Sequence, residues 1–166
     1  LPYRLFEKSP MKYEHLIEIN DFDNPSVQII SREKLWTALV MRAELPQLFM
    51  TYIDECIVTN RTETGMSRTL RFGELRIHDQ VELVPLKYVH YAVRAQKDIP
   101  ESSLRMTIEE PEPDSLFVRF SYDNGHTPEQ DIENEQYNEY HRSAYHEADI
   151  DTVRVIRDLA EAGRLD

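Results

Sequence analysis

The chain reads as an α+β fold in which a curved antiparallel sheet of six to seven strands wraps one long C-terminal helix, with two short helices after the first strand. Two observations carry this reading. From Ile53 to Tyr122 the sequence offers only strand and turn signals, six runs joined by short connections, which is the pattern of an antiparallel meander. Beyond Asn124 the apolar period changes to three- and four-residue steps, which makes a helical stripe. A meander accompanied by one greasy helix buries both by curling around that helix.

The first strand is expected over Lys12–Ile19, where Tyr13, His15, Ile17 and Ile19 alternate onto one face. Asn20 to Pro25 is a loop, since Asn, Asp and Pro supply turn geometry; it lacks the Gly and terminal Glu of a calcium loop. Ser31 is an expected N-cap, followed at helical spacing by Leu35, Trp36, Leu39, Val40 and Ala43. Arg42, seven residues after Leu35, falls near the apolar face of that helix. Pro46 interrupts it, and Pro46 to Phe49 is expected as a second short helix.

The six strand runs are Ile53–Asn60, Met66–Phe72, Leu75–Val84, Lys87–Ala95, Leu104–Glu110 and Leu116–Tyr122, broken by turn residues such as Gly65, Gly73, Pro85 and Asn124-Gly125. The helical stripe comprises Tyr137, His141, Ala144, Tyr145, Ala148, Thr152, Val155, Ile156 and Leu159, with Gly163 as its C-cap and Pro128–Glu135 as an acidic approach. At 1.5 Å per residue that seam is about 34 Å long, enough to cross a sheet. Where the stripe narrows to Ala144 and Ala148 a cavity is expected beneath the sheet.

At 166 residues the chain is expected to form one domain over residues 11–166, with residues 1–10 a leading extension and Met11 the natural start. Its 31 acidic against 19 basic residues give a net charge of −12, which disfavours nucleic acid and anionic membranes as partners. The acidic clusters Glu109–Asp114 and Glu129–Glu135 are expected as solvated faces. Cys56 is the single cysteine, so no internal disulfide forms, which fits a reducing, cytoplasmic setting. No apolar run spans a membrane, and the first residues lack a secretory layout.

Polar residues on apolar strand faces are the informative ones. His15 sits between Tyr13 and Ile17, and Asp79 continues the face of Leu75, Ile77, Val81 and Leu83. A carboxylate buried there needs a partner or a raised pKa, and Arg42, His15 and His141 are the expected partners. Such a group is either a structural ion pair or a polar anchor and acid–base residue for a ligand. Tyr91, Tyr122, Tyr137, Tyr140 and Tyr145 bring hydroxyls, which suits an aromatic ligand as well as core packing. His141, Tyr145, His146 and Asp149 have helical ligand spacing, but His146 faces away from His141, so no metal site is expected. No phosphate loop or nucleophile motif is present, and no cofactor is expected.

Four stretches carry a family resemblance: Lys12-Tyr13-Glu14-His15-Leu16, Arg42-Ala43-Glu44-Leu45-Pro46-Gln47-Leu48-Phe49, Met106-Thr107-Ile108-Glu109-Glu110-Pro111-Glu112-Pro113, and Ser143-Ala144-Tyr145 through Asp149-Ile150-Asp151-Thr152. Together they resemble the AtaL-like family of the START-like (SRPBCC) superfamily, to which the birch-pollen allergen type and polyketide cyclases belong. The resemblance covers Met11 to Leu165. It implies a helix-grip fold with a pocket for an apolar or aromatic small molecule, and it transfers no catalytic residue. The expected ligand-binding set is His15, Trp36, Arg42, Asp79, Tyr91, Tyr122, His141, Ala144, Tyr145 and Ala148. The expected function is to bind or carry a small hydrophobic or aromatic molecule. The alternatives are a cofactor-independent cyclase or aromatase using pocket acid–base residues, and an interaction module using the acidic surface.

Overall fold

The computed structural model describes residues 12–96, 99–123 and 135–166; the side chains of residue 12 and of residues 135–142 are outside that description. The expectations for residues 1–10, for the Asn124-Gly125 turn and for most of the acidic approach therefore lie outside the described residues, as do the side chains of Tyr137, Tyr140 and His141.

The alternating start forms β1 (Lys12–Glu18). Ser31 caps α1 (Arg32–Glu44), its Oγ accepting from the Lys34 amide at 3.1 Å. The expected second helix is only a 3₁₀ turn, Pro46–Leu48, because Pro46 brings no amide donor and the chain turns at once toward the sheet. The meander follows as β2 (Glu55–Thr62), β3 (Gly65–Phe72), β4 (Leu75–Val84), β5 (Tyr88–Val93), β6 (Ser102–Glu109) and β7 (Phe117–Asp123). The chain then enters α2 (Glu135–Glu161). Gly163 ends that helix at φ +71°, and the Arg164 amide donates to the Leu159 carbonyl at 2.9 Å, a Schellman close that tucks Leu165 into the core.

The seven strands form one curved antiparallel sheet in the order β1-β7-β6-β5-β4-β3-β2, so each strand from β2 onward pairs with its successor and β1 closes against β7. Gly65 is required where β3 opens, since a Cβ there would stand 2.4 Å from the Val81 carbonyl oxygen. Asn20, at the end of β1, is 1% exposed and donates to the carbonyls of Ile30 and Asp114 while accepting from the Ile30 amide. It thereby ties β1 to the segments on either side of it.

The apolar core joins Ile19 of β1, Leu35 and Leu39 of α1, Val89, Met106 and Phe120 of the sheet, and Val153, Ile156 and Leu159 of α2. The buried line of α2 runs through Asp149, Thr152, Val153, Ile156, Leu159 and Ala160, which keeps Thr152, Ile156 and Leu159 of the stripe expected from the sequence but not its alanines. Ala144 and Ala148 are exposed. The two alanines share a helical row with each other but lie one residue, about a quarter turn, before the buried row of Tyr145 and Asp149.

Asp79 is buried as its pleat requires, but its partner is neither Arg42 nor His15. The β3–β4 register sets Arg68 directly opposite, and the guanidinium grips both carboxylate oxygens, Nε to Oδ1 at 2.9 Å and Nη2 to Oδ2 at 2.6 Å. The remaining nitrogen, Nη1, donates to the Ala43 carbonyl at 2.9 Å, satisfying an orphan acceptor in the last turn of α1. Burial opposes the Arg68 charge, but the Asp79 hydrogen bonds and charge outweigh it and raise the guanidinium pKa. Removing one charge of such a pair leaves the other buried and unmatched. Asp79→Asn is therefore expected to lower the unfolding free energy by about 3 kcal/mol in urea titrations; a loss below about 1 kcal/mol would contradict this structural assignment.

Candidate functional site

Cross-strand register assembles the site. Tyr13 of β1 pairs with Tyr122 of β7, Tyr122 with Leu104 of β6, and Leu104 with Tyr91 of β5, so one rung of the sheet presents three tyrosines and a leucine to the helix side. His15 is two residues along β1, opposite Phe120 and on the same face as Tyr13. Tyr145, on α2, stacks face to face on Tyr122 with centroids 4.0 Å apart and planes 6° from parallel. It also stacks at 6.2 Å on Tyr13.

One turn further along α2, Asp149 is 0% exposed. Its Oδ1 accepts from the Tyr122 hydroxyl at 2.5 Å, and its Oδ2 lies 3.1 Å from His15 Nε2. The latter two atoms are close but off the line of a well-directed hydrogen bond, and among the described residues neither has a hydrogen-bond partner. His15 Nδ1 lies 3.1 Å from the Tyr13 hydroxyl, and the ring of His146 packs edge-on against His15 at 4.9 Å. Burial pushes the Asp149 carboxyl up to about 7, against the lowering effects of the Tyr122 hydrogen bond and the Arg42 charge. Burial, with His146 beside it, lowers His15. Burial and the Asp149 charge raise the Tyr122 phenol, which therefore stays protonated and donates. Chemically this is a dry carboxyl poised near neutrality against a neutral imidazole, an arrangement suited to passing a proton.

Arg42 enters from α1 on the face of Leu35, Ala38 and Leu39 and is 7% exposed. Its guanidinium lies over the Tyr91 ring at 5.2 Å, and Arg68 lies over the same ring at 4.9 Å. Among the described residues, the buried Arg42 Nε and Tyr91 hydroxyl have no hydrogen-bond partner. Beside this group a space of about 170 Å³ is lined by Tyr91, Val93, Ser102, Leu104, Tyr122 and Tyr145, among others.

Of the residues singled out in the sequence, His15, Arg42, Tyr91, Tyr122 and Tyr145 are thus brought into one neighbourhood. Asp79 belongs to the structural pair with Arg68. Trp36 is on another side of α1, where with Val40, Met41, Leu45 and Leu83 it lines a separate groove of about 330 Å³. Ala144 and Ala148 face outward, and the His141 side chain is outside the described residues. Sequence reasoning missed Arg68 and weighed Asp149 only as a metal-ligand candidate. Asp149 lies four residues after Tyr145 and seven before Ile156, and Arg68 alternates with Met66 and Leu70, so periodicity marks both. Among the described residues no group of three His, Cys, Asp or Glu side chains is placed to hold a metal ion. No helix of the described residues is long and apolar enough to cross a membrane.

A sequence profile described as "Acetylaranotin biosynthesis cluster protein L" matches residues 17–163. The chain belongs to the AtaL family. No protein of curated function matches it in sequence. Among solved structures, this AtaL-family chain is similar to the di-domain ARO/CYC StfQ from the steffimycin biosynthetic pathway, with a TM-score of 0.70 and 10% identity over 98% of this chain and 55% of that one. It thus spans about half of that protein. It is also similar to the Zhui aromatase/cyclase from Streptomyces sp. R1128, with a TM-score of 0.61 and 10% identity over 91% of this chain and 93% of that one. Norcoclaurine synthase from Thalictrum flavum matches with a TM-score of 0.59 and 15% identity over 94% and 90% of the two chains. At these identities the likeness establishes the shared START-like, helix-grip fold of the AtaL chain and nothing of its chemistry.

The Asp149 carboxyl gives the AtaL-family chain a pH signature. Its pKa is about 3.8 when unperturbed and about 7 in the fold. Between those values the native state holds a proton that the unfolded chain has released, so this contribution is complete below about pH 4 and is lost as pH rises through about 7. His15, lowered in the fold, acts in the opposite sense and loses its contribution as pH falls. Asp149→Asn mimics the protonated acid, with its amide able to donate to His15. The wild-type unfolding free energy is expected to fall relative to this variant by about 2 kcal/mol from pH 5 to pH 8, measured by chemical denaturation across the range. Parallel curves for the two proteins would contradict the assignment.

Proposed function

We propose that this protein binds a small aromatic or hydrophobic molecule between the first half of α2 and strands β5–β7. The observation that carries the reading is the aromatic wall of the 170 Å³ space, to which Tyr91 and the stacked Tyr122–Tyr145 pair contribute three phenol side chains. Leu104 supplies apolar surface between the two tyrosine-bearing strands. Ser102, Ser103 and Asp123 also line the space and supply polar groups that can orient a ligand.

A second reading, cofactor-independent acid–base catalysis of the cyclase or aromatase type, is favoured by one specific observation. Asp149, pushed up to about 7, touches both His15 and the cavity-lining Tyr122. In that reading the Asp149–His15 pair takes up and returns a proton at the ligand through the Tyr122 hydroxyl. The aromatase/cyclase and synthase structures that share the fold lend this reading support by analogy alone.

The binding reading is tested with an uncharged two-ring probe, 2-naphthamide. Titration calorimetry is expected to detect saturable binding to the wild type. Leu104→Trp, which fills the space from β6, is expected to weaken binding by about tenfold or more while leaving the circular dichroism spectrum unchanged. Undiminished affinity in the folded variant would overturn the proposed location, and absence of wild-type binding would overturn the reading.

A further inference from the structure

The helix-facing side of the sheet buries two guanidinium groups and supplies a close carboxylate to only one. Arg68 uses both oxygens of Asp79. Arg42, on the same Tyr91 ring, is 7% exposed; among the described residues no carboxylate lies within ion-pair distance of it, and its buried Nε has no hydrogen-bond partner. Asp149 is the remaining buried carboxyl among the described residues, and its two oxygens are directed to Tyr122 and His15. The Tyr91 hydroxyl is likewise sealed without a partner among the described residues. A buried guanidinium nitrogen and a buried phenol that both lack acceptors are costly to maintain unless something else satisfies them. Tyr91 lines the 170 Å³ space and Arg42 lies over its ring, so the unmet donors adjoin the proposed binding region.

We propose that the ligand carries a carboxylate, and that Arg42 together with the Tyr91 hydroxyl receives it. This rests on the binding reading above and adds the chemical class of the ligand. The guanidinium fork matches two oxygens lying in one plane, and its seat on the Tyr91 ring fixes the plane in which they are held. The Tyr91 hydroxyl supplies a further donor. The aromatic body of the ligand then lies along Tyr122 and Tyr145.

The test compares 2-naphthoate with 2-naphthamide, which share rings and shape but differ in charge, by calorimetry at pH 7.5, where the carboxylate is ionised. Wild type is expected to prefer the naphthoate by about tenfold or more. Arg42→Met is expected to abolish that preference, so that the two probes bind it with equal affinity. Tyr91→Phe, which deletes only the unpartnered hydroxyl, is expected to reduce the preference by about threefold. Equal affinities in the wild type, or a preference that survives in folded Arg42→Met, would overturn this inference and leave the binding reading standing. Binding of neither naphthalene would overturn both. The wild-type comparison decides the matter even if Arg42→Met does not fold.

Discussion

A charge buried against a sheet must meet an opposite charge or give up its ionisation, and this constraint orders the interior of the molecule. Three solutions stand side by side. Arg68 and Asp79 meet each other across the β3–β4 register, and the pair also fastens α1 through the Ala43 carbonyl. Asp149 is driven toward its neutral form and shares its oxygens between a phenol and an imidazole. Arg42 does neither; it rests on an aromatic ring, its Nε without an acceptor among the described residues. The first solution is structural, the second suits proton chemistry, and the third calls for a ligand.

The helix divides these tasks along its length. Its later half, with Val153, Ile156, Leu159 and Ala160, is part of the dry core that joins α1 to the sheet. Its earlier half brings Tyr145 and Asp149 to strands whose facing residues are tyrosines and a histidine. Core packing thus fixes the rotation of α2, and that rotation determines which polar groups reach the sheet. A strongly packed far half is what allows a polar near half to be held in place.

Most of the architecture was legible in the sequence because strand alternation and turn residues are local signals. The six runs after Ile53 and the caps at Ser31 and Gly163 appear where those signals place them. The rotation of α2 was not legible to the same degree. Ala144 and Ala148 continue a stripe through Val155 as plausibly as Tyr145 and Asp149 continue one through Thr152 and Ile156, and long-range packing makes the choice. Weighting apolar residues favoured the alanines and hid Asp149, a charged residue on the buried row. The partner of Asp79 was hidden for a related reason: strand register is a tertiary property, so nothing local sets Arg68 opposite it. Trp36, apolar and helical, gave no local sign of which groove it would line.

The solved structures compared with it above are 10–15% identical to it, so the chemistry must be argued from the residues of this chain. Its candidate site is the group formed by Arg42, Tyr91, Tyr122, His15 and Asp149, in which the Arg42 Nε and the Tyr91 hydroxyl have no acceptor among the described residues. A crystal structure of the protein with 2-naphthoate tests this account most directly. The account predicts the carboxylate within about 3 Å of the Arg42 guanidinium and the rings alongside Tyr122 and Tyr145. A naphthoate bound with its carboxylate in solvent, leaving Arg42 on Tyr91 without an acceptor, would contradict it.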